Sequence, residues 1–138
     1  MQKILVLLAC LIFSQCSNKN IAAIIPGESS ESLSKKVPVM SFVEQRRDLG
    51  EMQEGAVKEV VYEFVNSGTS DLRIELVTAC KCTEIKWPIE PIAPGGHGTI
   101  IANFDSSGME GPYTKTLDII ANTYPIVVEV KFSVVVKR

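Results

Sequence analysis

From Val37 onward, apolar and polar residues alternate with a period of two, and turn residues recur at short intervals. That pattern predicts half-buried β-strands rather than helices. Val37 to Val43 is a first candidate strand, and Asp48 to Met52 is a short second one, stopped by Gln53-Glu54-Gly55. Between Val57 and Asn66, Val60, Tyr62 and Phe64 share one face while Glu59 and Glu63 share the other. Ser67-Gly68-Thr69-Ser70 turns the chain, after which Leu72 and Ile74 are expected to face inward. Val77 breaks the period and predicts a bulge. Pro88, Pro91 and Pro94-Gly95-Gly96 predict a rigid loop. The alternation resumes at Ile100, Ala102 and Phe104, turns again at Asp105-Ser106-Ser107-Gly108, and continues with Leu117 and Ile119 facing inward. The clearest strand comes last. There Ile126, Val128, Val130, Phe132, Val134 and Val136 alternate with Glu129, Lys131, Ser133 and Lys137. About seven strands with polar outer faces predict an all-β domain, an antiparallel β-sandwich. A closed barrel is the alternative architecture.

The first residues follow a different pattern. Lys3 precedes an unbroken apolar run from Ile4 to Phe13, followed by Ser14-Gln15-Cys16 and the polar stretch Ser17 to Asn20. This is the arrangement of a secretory signal over residues 1–15. The run is far shorter than the roughly 20 residues needed to span a bilayer. Residues 16–36 are expected to be a tether. Pro26-Gly27 and the serines around it have linker composition, although Ile21 to Ile25 is apolar and fits either a membrane contact or an added strand. About 20 flexible residues reach roughly 25 Å. Residues 37–138 then form one domain, large enough to hold a core without covalent staples.

The 138 residues carry a formal net charge of −2, and loss of Lys3 with the signal makes the remainder more negative. Basic pairs such as Arg46-Arg47 are scattered, so nucleic acid is not an expected partner. Of the four cysteines, Cys10 lies in the signal and Cys16 at its end, leaving Cys80 and Cys82 for the domain. Export would place that pair where disulfides persist.

Several motifs stand in a set order along the domain: Asp48-Leu49-Gly50-Glu51; Tyr62 to Gly68; Leu72-Arg73-Ile74; Ala79-Cys80-Lys81-Cys82-Thr83; Ile92-Ala93-Pro94-Gly95; and Phe104 to Gly108 with Gly111. Their order and spacing resemble the bacterial domain of unknown function 1573 family. The resemblance implies an immunoglobulin-like sandwich, similar to domains of cilia and centrosome proteins such as hydin. It implies no activity. Two positions depart from the family pattern: Lys81 replaces a usual glycine, and Gly96-His97 follows the Pro-Gly pair. Several motif residues have structural reasons of their own. Asn66 and Gly68 suit left-handed turn positions, Pro94-Gly95 suits a type II turn, and Asp105 can cap the turn it begins.

Four features are candidates for chemistry. Phe13-Ser14-Gln15-Cys16 resembles a lipobox, in which the cysteine is alkylated by diacylglycerol and anchors the protein to a membrane; Leu7-Leu8-Ala9-Cys10 fits the consensus better but leaves a very short apolar run. Cys80 and Cys82 stand two apart, roughly 6.6 Å in an extended strand, so a bridge requires a contracted turn. The alternatives are two half-buried thiols, or two soft ligands for copper or zinc with His97 as a third. His97 is the only histidine, and Trp87 the only tryptophan, a core-edge residue or a binding anchor. No nucleophile elbow, phosphate loop or metalloprotease motif is present, so neither enzyme activity nor a cofactor is expected. The expected role is contact with another envelope protein, with metal or thiol handling by Cys80 and Cys82 as the alternative.

Overall fold

A computed structural model describes residues 35–138. The signal, Cys16 and most of the tether lie outside the described residues. The domain contains eight strands: β1 (Met40–Phe42), β2 (Arg46–Gln53), β3 (Val57–Asn66), β4 (Ile74–Thr78), β5 (Thr83–Lys86), β6 (His97–Asp105), β7 (Gly111–Ala121) and β8 (Val127–Lys137). They form two four-stranded sheets, ordered β1-β3-β6-β5 and β2-β8-β7-β4. The sandwich expected from the alternation is present, and two details differ. Thr83–Lys86 is a strand too short to show a period. The β2–β8 pair is parallel, with Arg47 opposite Phe132 and Met52 opposite Val136, while every other strand pair is antiparallel.

The inward faces are those that the alternation assigns. Val60, Tyr62 and Phe64 on β3, Ile100, Ala102 and Phe104 on β6, Leu117 and Ile119 on β7, and Val130, Phe132, Val134 and Val136 on β8 are all buried. Phe104 and Phe132 join the two sheets, with ring centroids 5.3 Å apart and planes at 65°. That edge-to-face geometry adds to simple area burial. Ile126 is an exception: it is 62% exposed. Its carbonyl accepts from Ala121 N–H at 3.0 Å and closes the β7–β8 hairpin, so it belongs to the turn. The expected bulge also appears. The β4–β7 register shifts between Ile74 and Leu76, which leaves Glu75 and Leu76 outside and returns Val77 to the core.

Asn66 and Gly68 serve a different purpose from the left-handed turn expected of them. Asn66 is the last residue of β3 and is fully buried. Its Oδ1 accepts from Val39 and Gly68 N–H, and its Nδ2 donates to the carbonyls of Ser70 and Ile92, at 2.8 to 3.3 Å. One side chain thus ties together the chain before β1, the β3–β4 loop and the proline-rich loop. Gly68 is required by close approach, since a Cβ there would overlap the Val37 carbonyl oxygen. The Pro94-Gly95 turn matches expectation: Gly95 has φ of 78°, and Gly96 N–H donates to Ala93 O at 2.8 Å.

Tyr62 is fully buried, yet its hydroxyl has no hydrogen-bond partner among the described residues. Burial pushes its pKa up to about 12, a shift that the nearby Arg47 charge opposes and Glu44 reinforces. Arg47 itself pairs with Glu44 at 3.3 Å.

Two outcomes are expected. Phe132→Ala should cost about 3–5 kcal/mol in denaturant melts, whereas Lys131→Ala, on the outer face, should cost under about 0.5 kcal/mol; equal losses would mean that the faces are reversed. Tyr62→Phe removes an unpartnered buried hydroxyl and should leave stability unchanged or raise it by about 1 kcal/mol at neutral pH. The fold favours the neutral phenol, so its contribution is complete below pH 10.0, the ordinary value, and is lost as pH rises through about 12. Melts of the phenylalanine variant should therefore show a shallower alkaline decline over that window. A clear loss at neutral pH would show that the hydroxyl has a partner after all.

Candidate functional site

The cysteine turn connects the two sheets, leaving β4 at Thr78 and entering β5 at Thr83. Thr83 N–H donates to the Cys80 carbonyl at 3.0 Å, which closes a tight turn. This contraction brings the Cα atoms of Cys80 and Cys82 to 5.3 Å, and the two sulfurs are bonded as a disulfide. On the far side, Asp105 N–H donates to the Cys82 carbonyl at 2.9 Å, so the turn is held to the end of β6. The Thr83 hydroxyl lies 3.4 Å from Cys80 Sγ and 3.8 Å from Cys82 Sγ. Both cysteines are half-buried, and Lys81 between them is exposed. Closing a loop this small restrains the unfolded chain by only about 1.6 kcal/mol.

An open cleft of about 370 Å³ lies beside the turn, lined by Val57, Lys81, Cys82, Glu84, Asn103 and Asp105 among others. Asp105 caps its own turn as expected. The Ser107 hydroxyl and N–H both donate to its carboxylate, at 2.6 and 2.8 Å, and these bonds hold its pKa below the usual value. Ser106 is fully buried and its hydroxyl donates to the carbonyls of Gln53 and Ala56, both at 2.9 Å. Ser106 holds the β6–β7 turn against the β2–β3 turn, and the Asp105 carboxylate closes its own turn.

His97 is not brought to the cysteines. It begins β6, exposed and opposite Val65, while Cys82 meets Asp105 at the other end of that strand. Eight steps along a strand separate them by roughly 26 Å. The three-ligand set considered from the sequence is therefore not assembled, and among the described residues no group of three or more His, Cys, Asp or Glu converges. Trp87 is half-buried and packs on the core, so it stands as the core-edge residue rather than as an exposed anchor.

The alternation alone does not reveal one surface feature. On the outer face of the second sheet, Leu76, Ile120 and Val127 stand side by side on β4, β7 and β8. Leu76 is 44% and Val127 46% exposed. The hairpin beyond them adds Tyr124, at 93%, and Ile126. The sequence signal is a set of apolar doublets: Leu76-Val77, Ile119-Ile120 and Val127-Val128. One member of each pair must face away from the core.

Solved structures with this shape come from unrelated settings. A protein of unknown function from Porphyromonas gingivalis W83 matches with a TM-score of 0.63 and 20% identity, over 72% of this chain and 47% of that one. The secreted serine protease VesC from Vibrio cholerae matches with a TM-score of 0.58 and 17% identity, over 70% of this chain and 23% of that one. The ASH/PapD-like domain 7 of human CEP192 matches with a TM-score of 0.57 and 12% identity, over 74% of this chain and 87% of that one. The chain thus spans under half the length of the first two. At these identities the likeness concerns the immunoglobulin-like fold alone. No curated protein matches the sequence. Residues 40–136 match the family described as a protein of unknown function, DUF1573, and the chain belongs to that family.

Proposed function

We propose that this chain is an exported, non-catalytic module, anchored to a membrane through a lipid on Cys16, that binds another protein at the bacterial envelope, facing the periplasm or the cell surface. The observation that carries the contact role is the apolar strip of exposed Leu76, half-buried Ile120 and exposed Val127, with exposed Tyr124 and Ile126 in the adjoining hairpin. Contiguous exposed apolar surface of this kind marks interaction sites. The face suits a partner better than the sheet edges do. Edge strands β1 and β5 have only three and four residues, and β4 and β2 each carry a register shift. Short or bulged edges resist pairing with another chain's strand. Anchoring is supported by the apolar run that ends at Ser14-Gln15-Cys16.

Two measurements test the two halves of this reading. Cells fed a fatty-acid analogue should label the protein, and Cys16→Ala should abolish the label and release the protein from membranes. Persistent labelling of that variant would sink the anchor. A photo-crosslinking residue at Val127 should capture a discrete envelope protein, and Leu76→Asp should weaken that capture at least about tenfold without lowering the melting temperature. Capture unaffected by Leu76→Asp would reject the apolar face as the docking surface.

A further inference from the structure

We propose that the Cys80–Cys82 disulfide is a thiol–disulfide exchange site, open to an external thiol, rather than a cross-link that supports the fold. The bond joins no two strands. It spans a single turn that backbone hydrogen bonds already close, from Thr83 N–H to Cys80 O and from Asp105 N–H to Cys82 O. Those hydrogen bonds do not involve sulfur, so breaking the disulfide removes neither donor nor acceptor. A structural disulfide in an exported domain would instead tie distant segments together, where loop closure restrains the unfolded chain far more.

The surroundings match what exchange requires. Cys82 lines the open cleft, so an incoming thiolate can approach its sulfur. Cys80 is then the leaving group, and its Sγ is the one nearer the Thr83 hydroxyl, at 3.4 Å against 3.8 Å. A hydroxyl turned toward that sulfur donates a hydrogen bond to the departing thiolate, and the adjacent exposed Lys81 adds positive charge. Both stabilise negative charge on the departing sulfur, and a better stabilised thiolate departs faster. Glu84 and Asp105 line the same cleft and work against an anionic thiol, so a neutral or basic thiol is the better reactant.

The chemistry balances without any further component. An external thiolate forms a bond to Cys82 Sγ as the Cys80–Cys82 bond breaks, and the electron pair leaves on Cys80. A second external thiolate then attacks the external sulfur of this mixed disulfide and releases Cys82 as a thiolate. Two external thiols become one disulfide, and the protein's disulfide gains two electrons and two protons. The reverse path regenerates the bond when a more oxidising disulfide is supplied. The turn keeps the two cysteines adjacent, so closure is intramolecular and fast.

The test is native reduction of the intact chain by dithiothreitol, a neutral dithiol, followed by alkylation and mass measurement. Reduction should proceed without denaturant, and the reduced protein should keep its circular dichroism spectrum and a cooperative melt. Thr83→Val and Lys81→Glu should each slow reduction by about threefold or more, because each removes a group that stabilises the departing thiolate. With Cys80→Ser, a mixed disulfide should accumulate on Cys82 on addition of oxidised cysteamine. Reduction that requires denaturant overturns the proposal, as does loss of the fold on reduction or a rate unchanged in both the Thr83 and Lys81 variants. None of these readouts depends on lipid anchoring or on the apolar face.

Discussion

The contact that the rest of the structure depends on is the seam between the two sheets, where Phe104 of β6 meets Phe132 of β8. Each of these strands has partners on both sides in its own sheet: β3 and β5 flank β6, and β2 and β7 flank β8. Once the seam is buried, the facing residues are fixed in parity along both sheets. A slip of one residue would turn the whole of β8 inside out, placing Glu129, Lys131 and Ser133 in the core. The cost of burying those groups is what specifies the register. Edge strands can then be short, because little of the apolar burial depends on them.

Sequence and structure agree wherever this parity rule operates. Val57–Asn66 is legible as a strand from its alternation, and the inward faces of β6, β7 and most of β8 follow the same logic. The rule carries no information about direction, so the parallel pairing of β2 with β8 could not be read. It also fails below about five residues, which is why β5 was invisible. Asn66 shows a different limit. An asparagine followed two residues later by glycine suits a turn, but here the amide is buried and bonds three separate segments, an arrangement that exists only after the loops have packed. The cysteine pair was legible as a requirement, since a bridge demanded a contracted backbone, and the turn supplies it. The separation of His97 from that turn was not, because β5 and the proline-rich loop between Cys82 and His97 carry the two to opposite ends of β6.

The domain is consequently divided along its long direction. At one end Val37 exchanges hydrogen bonds with Thr69. The same loop continues to Asp71 and Arg73, which Asn122 ties to the β7–β8 hairpin. Val37, Tyr124, Ile126 and His97 therefore share that end. The disulfide turn, the cleft and the capped Asp105 turn occupy the other. The two regions have no side chain in common, and a rigid two-sheet core lies between them. An apolar face near one end and a disulfide at the other can thus change independently. A partner held at the first leaves the second open to solvent, whereas a partner wrapped around the far end would cover the cleft that exchange needs. This geometry is what lets the proposed docking at the apolar strip and the proposed exchange at the cysteine turn fit within one small domain.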